Sequence, residues 1–496
     1  MSLAKAARLS LAALAICVFA PGASHAQSVV EFAARTYDKT LSDNWSNILF
    51  GGAKIGFSHQ KIEQGPKGYR ITSHSIVKMQ VMDDNQEVSF SHTFYLDADK
   101  KPRGFVSLKT IQNQRMQTTG EVRGGKLLVE TSGAGGGKKF TQAIPEGAKF
   151  LETLDLSLKD YLKPGLKTTI PVFVTDFRTM DQISLEVKDK KQIVVEGKTV
   201  EAYLVEVRVQ GLTERSYVTP EGENVREEND LGFVTEKTTE AEALKFPSTA
   251  VSVNSLISLS LIKPDKPLPD HEKIKEIHLI VGGMDTPVTI PSDDRQTASS
   301  PYWKKAEGGK SKLYIPIVIK KQSPPAAYNI SRASREKSSY VQATPEIQSD
   351  NKMIAREAKS IVGAEKDVYK AAVLINRWVN KNVKKKLVDS ISAIDVYFSR
   401  EGECQSHTNL FAALARSVGI PVRIAGGIVY TRDAEGFLYH VWPEVYAGKW
   451  IALDPTLGQD MADVTHIKLL ENADENPLTI FQFLVKISVS VESSVN

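Results

Sequence analysis

The chain has 496 residues, too long for one ordinary core, which points to two or three domains. Hydrophobic residues make up 41% and charged residues 25%, the balance of a globular protein and not of a disordered or membrane-embedded one. A formal net charge of +4 lacks the strong, clustered basic excess of a nucleic-acid binder, so nucleic acid is excluded as a partner.

The first expected element is a secretory signal. Lys5 and Arg8 precede an apolar run from Leu9 to Ala20, and Pro21-Gly22-Ala23-Ser24-His25-Ala26 ends in residues suited to cleavage after Ala26. The run holds about 12 apolar residues, whereas a membrane anchor needs roughly 20. Ile16 is too large for the small residue that a lipoprotein site places before its cysteine, here Cys17. The expectation is an exported chain, periplasmic or secreted, with no transmembrane segment. Removal of the signal leaves 61 basic residues against 59 acidic ones. It also removes Cys17, so Cys404 becomes the one thiol and no internal disulfide can form. An exported protein with one cysteine either tolerates it buried or uses it.

Residues 27–248 read as a β-rich domain. Alternating runs such as Tyr69 to Val77, Val88 to Leu96 and Val200 to Val209 are separated by turn signals at Gly51-Gly52, Asp97-Ala98-Asp99, Arg123-Gly124-Gly125 and Pro220-Glu221-Gly222. The period of two predicts one large antiparallel sheet, curved or closed into a half-barrel. Gly133 to Gly137 is a glycine-rich loop with no helix start after it, which argues against a phosphate cradle. Residues 249–344 form the next segment. Pro264, Pro267 and Pro269 mark the break, Ile274 to Val281 and Leu313 to Lys320 look like strands of a smaller β unit, and Pro324-Pro325 with the polar stretch Ser331 to Ser339 reads as a linker.

From 345 to 496 the pattern turns helical. Ser349 and Asp350 offer caps for a helix carrying Ile354, Ala358 and Ile361, which Gly363 stops. A second helix starts near Asp367 with Ala371, Leu374, Ile375, Trp378 and Val379 on one face. Its basic end, Lys381 to Lys386, reads first as a solvated face near a helix C-terminus and second as a contact for an acidic substrate. A third helix begins at Gly402-Glu403-Cys404, buries Leu410, Phe411, Leu414 and Val418, and ends at Gly419 with Pro421 beyond. Cys404 therefore sits at a helix N-terminus, where unpaired N–H groups and the dipole favour a thiolate. The same N–H groups can receive an oxyanion after sulfur attacks a carbonyl.

Strands follow at Val422 to Tyr430, Leu438 to Tyr446 and Lys449 to Asp454. A three-residue turn Tyr446-Ala447-Gly448 pairs Val445 with Lys449 and sets His440 opposite Asp454; a two-residue turn would put them on opposite faces. Directly opposed Cβ atoms lie about 5 Å apart, close enough for a carboxylate to orient an imidazole. Asp454 then fixes the tautomer of His440, which takes the proton of Cys404 and returns it to the leaving group.

The segments G-E-C-Q-S-H-T-N-L-F-A-A-L-A-R-S-V-G-I-P-V-R, Y-H-V-W-P-E-V-Y and W-I-A-L-D-P-T-L-G-Q together resemble the core of the transglutaminase-like superfamily over about residues 345 to 470. The resemblance implies an α+β fold, with a papain-like transglutaminase core at the C-terminus preceded by antiparallel β domains. It carries the nucleophile to Cys404, the base to His440 and the orienting acid to Asp454. Trp442, Glu444 and Pro455 match framework positions, and Trp442, Glu444 and His407 are candidates for substrate or supporting contacts. Glu403 departs from the Asp usual before the cysteine in similar bacterial sequences, with an effect expected on capping.

Plainer readings stand beside these. Cys404 could be a buried helix cysteine, His440 a core histidine, and Asp454 the start of a turn before Pro455. His407, three residues from Cys404, is a rival base without a carboxylate plainly placed to orient it. A metal site from Cys404, His407 and His440 lacks ligand spacing, so neither metal nor cofactor is expected. The leading expectation is a cysteine protease, amidase or acyltransferase acting on a protein or peptide amide through a thioester. The alternative is a catalytically silent exported binding or assembly module whose N-terminal β domain holds a ligand.

Overall fold

The computed structural model describes residues 31–81, 84–111, 114–132, 138–246, 251–252, 261–268, 270–306, 309–386, 392–473, 483 and 487–495. The expected signal segment, the loop 133–137 and Pro269 lie outside them. The chain divides into two compact units, Met1–Asn254 and Ser255–Asn496.

The first unit is a 16-stranded sheet among the described residues, almost wholly antiparallel. Hairpins succeed one another because alternating side chains give each strand one buried face and glycines make the turns. Strand β1 (Lys39–Phe50) joins β2 (Ala53–Gly65) through Gly51 and Gly52, at φ 57° and 81°, where a side chain would be strained. Later strands fan out from β2 as a meander to residue 143. Those from 149 onward return, so that Phe233–Thr238 pairs with β1, Trp45 lying opposite Thr238. The two arms curve towards each other. Phe94 and Phe105 of one arm pack on Phe150 of the other with ring centroids 5.4 Å apart, and Phe105 lies 5.8 Å from Phe173. This is the large, curved antiparallel sheet that the alternation predicts.

The second unit begins with strands β3 (Glu276–Met284) and β4 (Ser311–Lys320). Helices follow: α1 (Ile330–Glu336), α2 (Lys352–Val362), α3 (Val368–Asn382), α4 (Ala393–Ser399) and α5 (Cys404–Ser417). Then come β5 (Val422–Thr431), β6 (Gly436–Tyr446), β7 (Trp450–Ala452), β8 (Ile467–Leu470) and β9 (Ser488–Val495). One sheet has the order β7-β6-β5-β8, and the other places β3 between β4 and β9. Two apolar cores hold these layers. Helices α2 to α5 pack on Ile424, Val445 and Ile451 of the first sheet. Ile277, Leu279, Ile315 and Ile317 of the second sheet pack on Ile428, Phe437 and Ile467 of the first. The chain's last described strand, β9, pairs with β3, whose first residue is some two hundred positions earlier in the chain.

Several local expectations shift. Asn351, not Ser349 or Asp350, caps α2 by accepting from the N–H groups of Met353 and Ile354. The stretch read as a linker contains α1, which Asn329 caps and Ala333 anchors in the core; its polar surface hid the helix. The basic tail of α3 does not simply continue as a helix end. Lys384 and Lys385 pair in parallel with Glu401 and Gly402, and Lys386 meets Glu401 at 3.1 Å. Among the described residues, no helix is long and apolar enough to cross a membrane.

Candidate active site

Helix α5 starts abruptly, and Gly402 is what permits it. A Cβ at Gly402 would lie 2.2 Å from Cβ of Ser406, so any side chain there would push the first turn away. Glu403 is the cap residue, with extended backbone (φ −88°, ψ −171°), but its side chain makes no capping hydrogen bond. Glu403 thus supplies no side-chain cap to the first turn of α5. Burial raises the Glu403 carboxyl, against the lowering influence of His440 and Lys385. The rest of the helix is packed, with Leu410, Phe411 and Leu414 fully buried. The Thr408 hydroxyl donates to the carbonyl of Val441 at 3.1 Å, tying the helix to β6 one residue from His440.

The loop between β6 and β7 differs from expectation by one step at each end. Tyr446 pairs with Trp450, Val445 with Ile451 and Glu444 with Ala452, so the turn is Ala447-Gly448-Lys449. Gly448, at φ 82°, takes the left-handed position. The register therefore moves by two residues from the expected one. Because the side-chain period is two, the faces are preserved. Asp454 lies past the paired part of β7 and not directly opposite His440, yet His440 Nε2 donates to Asp454 Oδ2 at 2.7 Å. The chain has by then left the sheet. Asp454 Oδ1 accepts from the backbone N–H groups of Thr456 at 2.7 Å and Leu457 at 2.9 Å, so the residue starts a turn and holds the imidazole at once.

Cys404 is half-buried at the start of α5 and is one of the groups that raise the His440 imidazole. Burial pulls the His440 imidazole down, but the Asp454 carboxylate and Cys404 outweigh it and push the group up to about 10. Asp454 is fully buried, which alone would raise it; His440 and His466 instead hold it well below the usual carboxylate range. The arrangement favours an imidazolium at His440, held by the Asp454 carboxylate.

Residues 355–455 match the family model of the transglutaminase-like superfamily. This part of the chain is a transglutaminase-like domain. A curated protein of Haemophilus influenzae, described only as uncharacterized, is 27% identical over 187 residues, which are 33% of this chain and 48% of that protein. The chain thus spans about half the length of the curated relative it matches. Among solved structures, a protein of Cytophaga hutchinsonii provisionally named a cysteine protease is 17% identical, with a TM-score of 0.28 over 45% of this chain and 85% of its own. A β-barrel-like protein of Brucella abortus is 10% identical, with a TM-score of 0.32 over 41% of this chain and 98% of its own.

The transglutaminase-like domain extends its polar network beyond the matched residues. His466 Nε2 also donates to Asp454 Oδ2, at 3.0 Å, and its Nδ1 lies 3.2 Å from Asp463 Oδ1. His466 is fully buried, and its ring stands edge-on to both His440 and Trp442. Burial would raise the Asp463 carboxyl, but His466, Thr465 and Gln459 hold it below its ordinary range. His466 lies in a non-periodic stretch after Asp454, so the only sequence signal was a His shortly beyond the Asp-Pro turn. His440, Asp454 and His466 also form the one metal-like grouping among the described residues, their ligand atoms within 4.8 Å of one another. Both imidazoles already meet one carboxylate oxygen at hydrogen-bond distance, which an ion would have to displace.

The other candidates have other surroundings. His407 is fully buried, with Nδ1 2.9 Å from the carbonyl of Glu403 and Nε2 3.2 Å from that of Val383. Both ring nitrogens face backbone, and burial pulls the imidazole down, so His407 braces the start of the helix where a rival base was considered. Trp442 is buried beside His440, rings 6.1 Å apart and near parallel, and its indole nitrogen has no partner among the described residues. Glu444 belongs to a buried ionic cluster. It accepts from Arg423 Nε at 2.6 Å and Lys468 Nζ at 3.0 Å, and Lys468 also pairs with Asp293. Arg423 in turn lies over the Trp450 ring. This makes Glu444 a brace of the sheet that carries His440.

Proposed function

We propose that the transglutaminase-like domain is a cysteine enzyme that opens protein or peptide amides through a thioester, with Cys404 as nucleophile, His440 as acid and base, and Asp454 as the group that orients His440. The reading rests on one observation: a fully buried carboxylate holds His440 Nε2 at 2.7 Å while Cys404, at the start of α5, acts on the same imidazole. In the first step the Cys404 sulfur bonds to the amide carbon and the carbonyl electrons move to oxygen, towards which the helix N-terminus at Cys404 directs its dipole. Collapse of this adduct breaks the C–N bond, and His440 gives its proton to the departing amine. The thioester is then attacked by water, whose proton goes to His440, and the carboxylic acid leaves as the thiolate re-forms. An amine in place of water yields a new amide.

The packing of a helix bearing Cys404 against a sheet bearing His440 supports a papain-like arrangement of the core. The signal-like segment at residues 1–26 supports export to a periplasm or the outside, where water is the abundant acceptor, and so favours hydrolysis. The test is incubation of the mature protein with casein, reading new amino groups and, separately, incorporation of monodansylcadaverine. We expect amino-group release by the native protein and none by Cys404→Ser. Dansyl incorporation without release would assign transfer instead. Equal signals from the native protein and Cys404→Ser would overturn the reading.

A further inference from the structure

The first unit contains a cavity of about 390 Å³ that has no part in the chemistry proposed above. One wall is the inner face of β1 and β2. Their register sets Ser46 opposite Ser58, Asn44 opposite Gln60 and Ser42 opposite Ile62, and all six line the cavity. The facing wall comes from Asp155 to Lys159 and from the turn at Glu221 to Asn224.

The six inward residues of the β1–β2 wall are uncharged, and all but Ile62 are polar. Gln60 is only 9% exposed, yet its amide nitrogen has no hydrogen-bond partner among the described residues, and neither has the Ser42 hydroxyl. The same band continues across the next strand, where Ser73 lies opposite Gln60 and Ser75 opposite Ser58, both buried and both without a partner among the described residues. Ser73 and Ser75 do not line the cavity, but buried donors and acceptors left unpaired are costly, so a wall that holds Gln60 and Ser42 in that state is suited to a ligand that brings hydrogen-bonding groups of its own.

The chemistry of that wall narrows the ligand. An acyl chain would leave the serine, asparagine and glutamine groups unpaired. The β1–β2 face carries no charged side chain, and the facing wall sets Lys159 beside Asp155, Glu221 and Glu223, the last paired with Lys237, so neither an anion nor a cation meets a wall of one opposite sign. A peptide adding as a strand needs a free sheet edge, but β1 and β2 are each hydrogen-bonded on both sides. Sugar hydroxyls donate and accept in turn, as serine hydroxyls and carboxamides do. We propose that this cavity is a binding site for a neutral carbohydrate, held face-on by the Asn44–Gln60 and Ser46–Ser58 pairs.

The experiment is calorimetric titration of the mature, full-length protein with cellotriose, maltotriose and chitotriose, and with trialanine and laurate as probes of the other classes. At least one trisaccharide should bind with a Kd of about 1 mM or tighter, the range expected of a site with a few good hydrogen bonds. Asn44→Leu and Ser42→Val, both at partly exposed positions, should each weaken it by about tenfold, the effect of losing one hydrogen bond, with unchanged circular dichroism. Absence of binding by all three sugars, tighter binding of trialanine or laurate, or unchanged sugar affinity in both variants would overturn the proposal.

Discussion

In the first unit strand register lines up one row of buried polar side chains, Ser73 opposite His92, His92 opposite Ser107 and Ser107 opposite Thr118, while buried carboxylates such as Glu152 and Glu227 lie elsewhere in the unit. In the second unit the buried clusters beside the sheet are charged and drawn from distant parts of the chain: Asp454 with His440 and His466, and Glu444 with Arg423 and Lys468, whose ammonium also reaches Asp293, 175 residues away. A neutral row can tolerate an unpaired member and remain open to a ligand. A buried charge needs its partners. The first unit can therefore present polar surface, while the second can hold an ionised pair in place.

Lys468 should show the largest effect. It is 1% exposed and pairs with both Glu444 and Asp293, so Lys468→Met leaves two carboxylates without it and should cost about 3–5 kcal/mol. Denaturant unfolding followed by tryptophan fluorescence reads this unit well, since Trp303, Trp378, Trp442 and Trp450 lie in it and only Trp45 lies in the other. A loss below about 1 kcal/mol would mean that the cluster is not what holds the sheet.

The pH dependence of the second unit should come next. His440 is pushed up to about 10, so its contribution is complete below the unfolded imidazole value of about 6.5 and is lost as pH rises towards 10. Asp454 is held down, so its contribution is complete above about 4 and is lost as pH falls below that. Stability should thus be greatest between about pH 4 and 6.5. Unfolding midpoints across pH should show an alkaline decline that His440→Ala removes; a decline that persists in the variant has another source.

His466→Ala removes one of the donors to Asp454 and the partner of Asp463, and should destabilise by about 1–3 kcal/mol. If His466 also positions Asp454, turnover of a substrate should fall by more than the loss of folded protein explains. Ser75→Ala should be the smallest change, within about 1 kcal/mol of neutral, because the hydroxyl it removes has no partner among the described residues. A loss as large as that at Lys468 would erase the contrast between the units.

The same contrast explains what could be read from the chain in advance. Period-two alternation and glycine turns are local signals, so the large curved sheet of the first unit is legible in the sequence. The start of α5 was legible for a similar reason, since Gly402-Glu403-Cys404 followed by a regular apolar stripe marks a helix end. The His440–Asp454 contact was foreseen with the wrong turn. Gly448 was placed last in the loop and lies in its middle, and the parity of the loop, not its position, kept the two side chains on one face. His466 and the Lys468 cluster gave no such signal. Their partners are fixed by the packing of one sheet on another, which brings Asp293 and Arg295 to residues some 170 positions away.

The central claim is that His440, held by Asp454, activates Cys404, and the most direct test is the rate of Cys404 alkylation by iodoacetamide as a function of pH. Cys404 is the one thiol of the chain once Cys17 is absent, so the modified mass reports a single site. The account predicts that the native protein reacts well below pH 8, that His440→Ala moves the profile to higher pH, that Asp454→Asn moves it less, and that His407→Ala leaves it in place. A profile that follows His407 and is indifferent to His440 would contradict the assignment.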